Sequence, residues 1–587
     1  MRKKSLLKAA ATVIVAVAVT CGFSACGRTD GESAHIHSYT ETVVAPACTE
    51  RGYTLHKCDC GDEYRDNEKN PLGHNYSVEF TVDKKATCKE TGIESRHCTR
   101  CGAKTDETEI PFSEHNYVDG VCTVCGDEIL EEATRLEYKL SGDGTYYIVK
   151  SLGEETRVRF IIPSLYKEKP VKEIGYGAFR DRYGLKSITI PDGVTSIGEY
   201  AFKGCRSLTS LTIGKGVTNI GRQAFEGCSS FEDVYITDLV AWCKNKFIYD
   251  GLTAKSNNPL EYAHNLYLNG ELVTDLVIPE EITEVEDYAF SGCTSVTGVT
   301  IHSGVKNLGW GAFQNCTALE SAIIPEGVTT ISNYAFCGCT SLASLTIPES
   351  VTNVGWGVFD ECKKLIEVVE KTGYVGKWAV KCYESYAKEI KLKDGIAGIA
   401  GQTFAWSSVI SVSIPDGLKY ICSRAFFDCR SLSNVSIPES VTKIEVSAFE
   451  GCEKLIKKDG GISYVDKWAI NCEAIASTAE LRADTAGIAN YAFNYCIYLK
   501  SVTITDGVKS IGDYAFGECK KITDIIIPES VTSIGKNAFG KCIGLTSITF
   551  NGTKEEWQSI EKGDGWKGNT GEFTVYCTDG TLAKAEA

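Results

Sequence analysis

Histidine is nearly missing from most of this chain. Of its eight His, six lie before residue 116, and only His264 and His302 follow. That scarcity leaves little material for imidazole-based acid–base or nucleophile-activating chemistry, and neither of the two later His has a readable Ser or Cys partner. No phosphate-cradling glycine loop and no zinc-protease signature appear. Positive charge is also short. Lys and Arg number 61 against 77 Asp and Glu, for a formal net charge of −16. Such a surface repels phosphates, which argues against nucleic acid or an anionic membrane surface as partner. Methionine occurs once, as the initiator. Beyond the N-terminus no apolar run is long enough to cross a bilayer.

The N-terminus is the exception. Arg2, Lys3, Lys4 and Lys8 precede an apolar run from Ala9 to Val19, which ends in Phe23-Ser24-Ala25-Cys26-Gly27. The run is too short for a stable spanning helix and has the shape of a signal-peptide core. Its end resembles the bacterial lipobox, with Phe23 in place of the usual Leu, and Cys26 is the expected lipidated residue after removal of residues 1–25. Cys21 is a poorer second choice, and an ordinary cleaved signal with an incidental Cys is the plainer alternative. Either way the mature protein is expected outside the cytoplasm, and on the lipobox reading a lipid on Cys26 is its only expected attachment to membrane.

What is plentiful is cysteine, 27 in all. Eight lie between Cys48 and Cys125 and recur with His. His37-Ser-Tyr39 leads to Cys48, Gly52, Cys58 and Cys60; His74-Asn-Tyr76 leads to Cys88, Gly92, Cys98 and Cys101. A third copy from His115 carries Cys122 and Cys125 but lacks the first Cys. Three Cys and one His are the ligand set of a closed tetrahedral zinc site. Residues 26–130 are therefore read as a module with two structural zinc sites, His37/Cys48/Cys58/Cys60 and His74/Cys88/Cys98/Cys101, and with His56 and His97 as spare ligands. A disulfide framework is the competing reading for an exported Cys-rich segment. The recurrent His favours metal. Such a module would serve as a spacer or stalk and would do no catalysis.

From residue 171 to 550 a 23-residue period dominates. Its Phe recurs at 179, 202, 225, 290, 313, 336, 359, 404, 426, 449, 493, 516 and 539. One unit shows the layout: Ala201-Phe202-Lys-Gly-Cys205-Arg-Ser-Leu208-Thr-Ser-Leu211-Thr-Ile213, then Val217, Ile220 and Gly221. Alternation in Leu-Thr-Ile is strand-like. A single unit cannot enclose a core, so units must stack and bury their apolar residues against one another. The expected fold is a strand-dominated repeat solenoid of leucine-rich-repeat type, with short helical or irregular turns. Inserts interrupt it at 234–279, 363–400 and 454–489. Residues 131–170 read as a cap hairpin, Asn269-Gly270 as the turn of another hairpin, and residues 551–587 as a C-terminal cap and tail. Trp378-Ala379 with Cys382, and Trp468-Ala469 with Cys472, read as degenerate Ala-Phe-x-x-Cys units. Cys205, Cys228, Cys293 and their equivalents follow the Phe by three residues, and read as one inward column of buried thiols rather than disulfides or ligands.

The recurring Leu-x-x-Ile-x-Ile-Pro…Val-x-x-Ile-Gly-x-x-Ala-Phe-x-x-Cys resembles the BspA-like leucine-rich repeat surface proteins over roughly two thirds of the chain. That resemblance implies a cell-surface adhesin or recognition protein, not an enzyme, that binds an extracellular protein or glycan. Its contact residues would be those alternating with the core in each strand: Thr189, Thr212, Thr346 and Thr503, with Ile323 and Ile526 breaking the hydroxyl array. A spacer without specific ligand is the alternative, since Ser and Thr are also ordinary solvent-facing strand residues. No cofactor is expected in the solenoid.

Overall fold

The computed structural model describes residues 38–59, 61–113, 131–250, 255–473 and 477–586, with short strand pieces at Ile14–Val15, Tyr117–Val118 and Val121–Cys122. The chain divides into two compact units, Met1–Leu130 and Glu131–Ala587. Cys26, His37 and Cys60 lie outside the described residues.

The first unit holds two antiparallel sheets of the same three-stranded design, one of them extended by a fourth strand, Ile14–Val15, paired with Tyr39–Val44. One consists of Tyr39–Val44, Gly52–Cys58 and Glu63–Lys69, the other of Thr81–Lys84, Gly92–His97 and Lys104–Ile110. In each, the first Cys of the copy occupies the loop before the central strand, and the Cys pair begins at or just after its far end.

The second unit is a parallel stack. Each repeat contributes one residue row to each of two ladders, and partners in a row lie 23 residues apart in the undisturbed stretches. Ser187–Ile190 pairs with Ser210–Ile213 and that with Asp233–Ile236; on the other side Ser196–Ile197 pairs with Asn219–Ile220. Between ladders the Phe rings stack, with Phe202 on Phe225 at 5.5 Å and 4° and Phe493 on Phe516 at 4.9 Å. Stacking places Phe, Leu, Ile, Val and Cys of successive turns in continuous buried cores. The glycine that follows the second short strand is needed for close approach of one turn to the next. A Cβ on Gly221 would lie 2.3 Å from the backbone N of Glu199.

Every turn around the Ala-Phe pair uses two left-handed residues, one just before Ala and one just before the Cys position. Left-handed backbone costs a side-chain-bearing residue about 1–2 kcal/mol, and glycine nothing comparable. The first seven units place one glycine in each pair: Gly177, Gly204, Gly227, Gly292, Gly311, Gly338 and Gly357. The last six units hold one, Gly451, and otherwise carry larger residues at positive φ.

Inserts divide the ladders into four blocks. Residues Asp233–Ile236 and Asn265–Leu268 at the margins of the first insert are themselves rungs of the ladder. The strand Asn265–Leu268 then turns through Asn269 (φ 52°) and Gly270 (φ 90°) into Glu271–Leu272. Trp242 of this insert is buried, its Nε1 donating to Ala289 O at 3.0 Å. The other two inserts are antiparallel meanders, Glu367–Val369 with Thr372–Val375 and Trp378–Cys382, and Lys457–Asp459 with Ile462–Val465 and Trp468–Cys472. Trp378-Ala379 and Trp468-Ala469 are not Ala-Phe turns but strands, paired in parallel with Gly398–Ile399 and Gly487–Ile488. Each Trp lies over the paired glycine, where a Cβ would come within 2.4 Å and 2.6 Å of the indole. Trp378 and Trp468 are buried.

Both ends of the stack are closed. Glu137–Leu140 pairs antiparallel with Tyr147–Ser151, which starts one ladder beside Lys169–Ile174. At the other end the helix Lys554–Ser559 carries a Thr553/Glu556 capping box and buries Trp557. Strands Thr574–Cys577 and Gly580–Ala583 then end the second ladder as a hairpin. Closing an edge this way removes unpaired backbone that would otherwise template association.

Candidate binding face and metal centre

The sheet face presents the residues that alternate with the buried core. The structure sets Thr189 beside Thr212, Ile323 beside Thr346, and Thr503 beside Ile526, as direct partners in three separate blocks. Ile323 is 69% exposed and Ile526 is 38%, whereas Thr189 and Thr212 are half-buried. The hydroxyls just before these strands are already engaged. Thr209 Oγ1 donates to Lys186 O at 3.1 Å, and Thr523 Oγ1 to Lys500 O at 3.2 Å. They tie turn to turn and are not offered to a ligand.

The same face becomes concave in the third block. There Lys391 pairs with Ser413 and Ser413 with Ser436, while the loop of the meander at Glu370 and Lys371 overhangs them. The resulting cleft has a volume of about 550 Å³. Sequence reasoning missed it because the overhang comes from an insert, whose position over the strand face has no repeat signal.

In the first unit the structure regroups the expected ligands. Cys48, His74, Cys98 and Cys101 bring their ligand atoms within 4.8 Å of one another. Cys48 Sγ stands 3.6 Å from Cys98 Sγ, and Cys101 Sγ 3.2 Å from His74 Nδ1. Thus Cys48 of the first copy completes a set otherwise drawn from the second, and Cys88 is not a member. The physical reason is strand length. Cys88 precedes the strand Gly92–His97 and Cys98 follows it, so six extended residues hold them about 20 Å apart. The connecting segment brings the Cys48 loop instead. Leu72 N donates to Ala47 O and Gly73 N to Cys48 O, and two residues later Asn75 N donates to Cys98 Sγ at 3.4 Å. Cys58, expected beside Cys48, ends its own strand at the opposite side of that sheet, and its other expected partners, His37 and Cys60, lie outside the described residues. The two spare His are not ligands of this set: His56 Nε2 meets Asp66 at 2.9 Å and His97 Nε2 meets Asp83 at 2.8 Å.

Electrostatics suit a cation at the regrouped set. Burial opposes ionisation of Cys98, but the backbone N–H groups of Arg100 and Cys101, with His74 and Asn75, bring its thiol down to about 5. Cys48 is pushed up to about 11, by burial first and then by the neighbouring Cys101 and Cys98 sulfurs. Three sulfurs and one imidazole nitrogen at these separations match tetrahedral coordination, in which zinc–sulfur bonds of about 2.3 Å place sulfurs about 3.8 Å apart.

A profile of the BspA type Leucine rich repeat region, in six copies, matches residues 162–254, 263–378, 379–477 and 466–562. The chain belongs to this family. Its matched residues run through all four blocks of the BspA-type stack, including both meanders, and stop short of the Cys/His unit. Three solved structures are similar to the chain. A leucine rich cell surface protein from Faecalibacterium prausnitzii is 26% identical, covering 73% of this chain and 96% of its own, with a TM-score of 0.28. A leucine-rich repeat protein from Bacteroides ovatus is 23% identical over 75% and 98%, with a TM-score of 0.31. The leucine rich repeat protein of T. pallidum is 26% identical over 39% and 87%, with a TM-score of 0.25. No curated protein matches the chain. Among the described residues no helix is long and apolar enough to cross a membrane.

Proposed function

We propose that this protein is a cell-surface recognition protein that binds an extracellular protein or glycan through the exposed faces of its BspA-type stack. The carrying observation is the open parallel sheet face with solvent-exposed Ile323 and Ile526 and the cleft of the third block. A repeat stack gains affinity by presenting many small contacts along one continuous surface. The chain is held at the outer face of a bacterial membrane through lipid on Cys26 and takes no nucleic acid. The Cys48/His74/Cys98/Cys101 set holds a structural zinc ion. A donor set of three thiols and an imidazole favours zinc over calcium or magnesium, which take oxygen ligands.

The test is a pull-down of matrix proteins, mucins and immobilised glycans by the purified protein, repeated with Ile323→Ser/Ile526→Ser and with the 363–400 meander shortened. Saturable binding that falls at least ten-fold in one of these variants supports recognition through this face. Absence of binding to every probe would instead favour a spacer in the envelope. Metabolic labelling with a radioactive fatty acid, lost in Cys26→Ala, tests the anchor.

A further inference from the structure

We infer that the last block carries a binding site for neutral sugar rings. This rests on the recognition reading above and gives it a second, separate location. The site is a cleft of about 300 Å³ between successive turns, on the side of the stack that carries the Ala-Phe bends. Its side chains come from six left-handed positions in consecutive units, Tyr491 and Tyr495, Tyr514 and Glu518, then Asn537 and Lys541, together with Asn494.

Backbone strain is concentrated around this cleft. In the first two blocks one of the two left-handed slots of every unit is glycine, which the bend favours. Tyrosine does recur in the earlier slots, as Tyr200, Tyr288 and Tyr334, but each is matched by glycine in the second slot of its unit. Two units of the third block also carry side chains in both slots, Gln402/Trp406 and Arg424/Asp428, but three successive units do so in the last block, where the second slot holds Tyr495, Glu518 and Lys541. None of these three is among the residue types that tolerate positive φ well. Strain kept at several neighbouring positions that converge on one cleft points to a use for the side chains rather than to the needs of the bend.

The lining consists of tyrosine, asparagine, glutamate, lysine and glycine, without one aliphatic side chain. Tyr495 is 59% exposed. Tyr491 and Tyr514 stack at 4.9 Å and 10°, and the Tyr514 hydroxyl accepts from Asn537 Nδ2 at 2.9 Å. This holds the rings in fixed planes. Aromatic faces take up the C–H face of a pyranose, and planar amides with a carboxylate meet its hydroxyls. An apolar peptide anchor would need aliphatic walls, which are missing here. Lys541 neutralises Glu518 at 2.5 Å. The paired charges and the chain's net charge of −16 favour an uncharged sugar over a sulfated or sialylated one.

The experiment is native affinity electrophoresis of the purified full chain in gels containing a neutral β-glucan, mannan, xylan, galactan or starch, with heparin as anionic control. Tyr495→Gly and Tyr514→Gly are run beside it. Retardation by at least one neutral polysaccharide is expected, weakened ten-fold or more in Tyr495→Gly. That variant should keep or raise its melting temperature, because glycine relieves the left-handed strain; this separates lost binding from lost fold. Absence of retardation by all neutral polysaccharides overturns the inference, as does undiminished retardation of both variants. Protein binding in the pull-down with no sugar retardation would sink this site while leaving the recognition reading standing.

Discussion

A single residue position, the Cys three places after the repeat Phe, shows how far side-chain chemistry could be read before the fold was known. Its period marked it as inward and reduced, and in the structure Cys205, Cys316, Cys339 and Cys542 are buried thiols. What the pattern did not reveal is the partner. Each thiol donates to the carbonyl of the Phe one turn back, as Cys205 does to Phe179 O and Cys542 to Phe516 O, both at 3.0 Å. That bond runs between units, so no single repeat displays it. Burial pushes the Cys205 and Cys542 thiols up to about 12. Below about pH 8.5 both folded and unfolded chains hold these protons, and the stabilising effect is complete. Above it the unfolded chain releases protons that the folded chain keeps, so stability falls until the folded thiols also ionise near 12. The urea midpoint is expected to drop between pH 7.5 and 10.5, and to drop less in Cys205→Ala/Cys542→Ala. Equal slopes would mean that these thiols do not contribute. Iodoacetamide should leave both residues unmodified in the native protein and label them in urea.

At the scale of elements, strand length decides the metal set. The residue types of the proposed metal set were legible, but the grouping was not, because spacing treats each copy as a closed loop. A Cys separated by a strand from its own Cys pair cannot reach it; the copy that follows can use it. The third copy, which lacks that first Cys, is the one with no following copy to supply. Elemental analysis should therefore show one fewer zinc per chain in Cys48→Ser and in Cys98→Ser. In Cys88→Ser the metal held by the Cys48 set should remain, detectable as retained cobalt–thiolate absorption on cobalt exchange. Loss of two zinc ions rather than one in the combined Cys48→Ser/Cys98→Ser variant would restore the grouping by copy. The meanders escape the repeat pattern for a related reason: Trp-Ala…Cys is similar in apolar character to Ala-Phe-x-x-Cys, yet the Trp needs an opposing glycine, Gly398 or Gly487, and that pairing lies twenty or nineteen residues away. Glycine matters for approach in the regular units as well. Gly221→Ala forces a methyl into the backbone of the preceding turn and should cost about 1–3 kcal/mol in urea unfolding. Gly142→Ala, where no atom lies within 4 Å of the added Cβ, should change little.

Within the stack as a whole, stability is a matter of neighbours and of ends. Each turn is covered by the next through stacked Phe rings and ladder bonds, so the cost of an uncovered turn falls on the terminal ones. The general form of this was legible, since a 23-residue repeat that cannot close its own core must be capped. The form of the caps was not, because cap residues lie outside the repeat. At the C-terminal end Trp557 packs edge-on against Phe550 and Trp566 against Phe539, all four buried. Strand Thr574–Cys577 continues the ladder past Ser547–Phe550, and Gly580–Ala583 reverses direction and ends it. Removing residues 551–587 would bare the last Phe pair and the open edge of Ser547–Phe550 together, which joins an apolar patch to a pairing-competent strand. The shortened chain is expected to self-associate in light scattering at concentrations where the whole chain stays monodisperse. Trp557→Ala should produce an intermediate state: a large loss of stability, about 3–5 kcal/mol for a buried Trp, with the ladder edge still covered and little association at low temperature. If the truncated chain stayed monodisperse and equally stable, the stack would be closed by its regular turns alone, and the terminal helix and hairpin would have to be assigned another use.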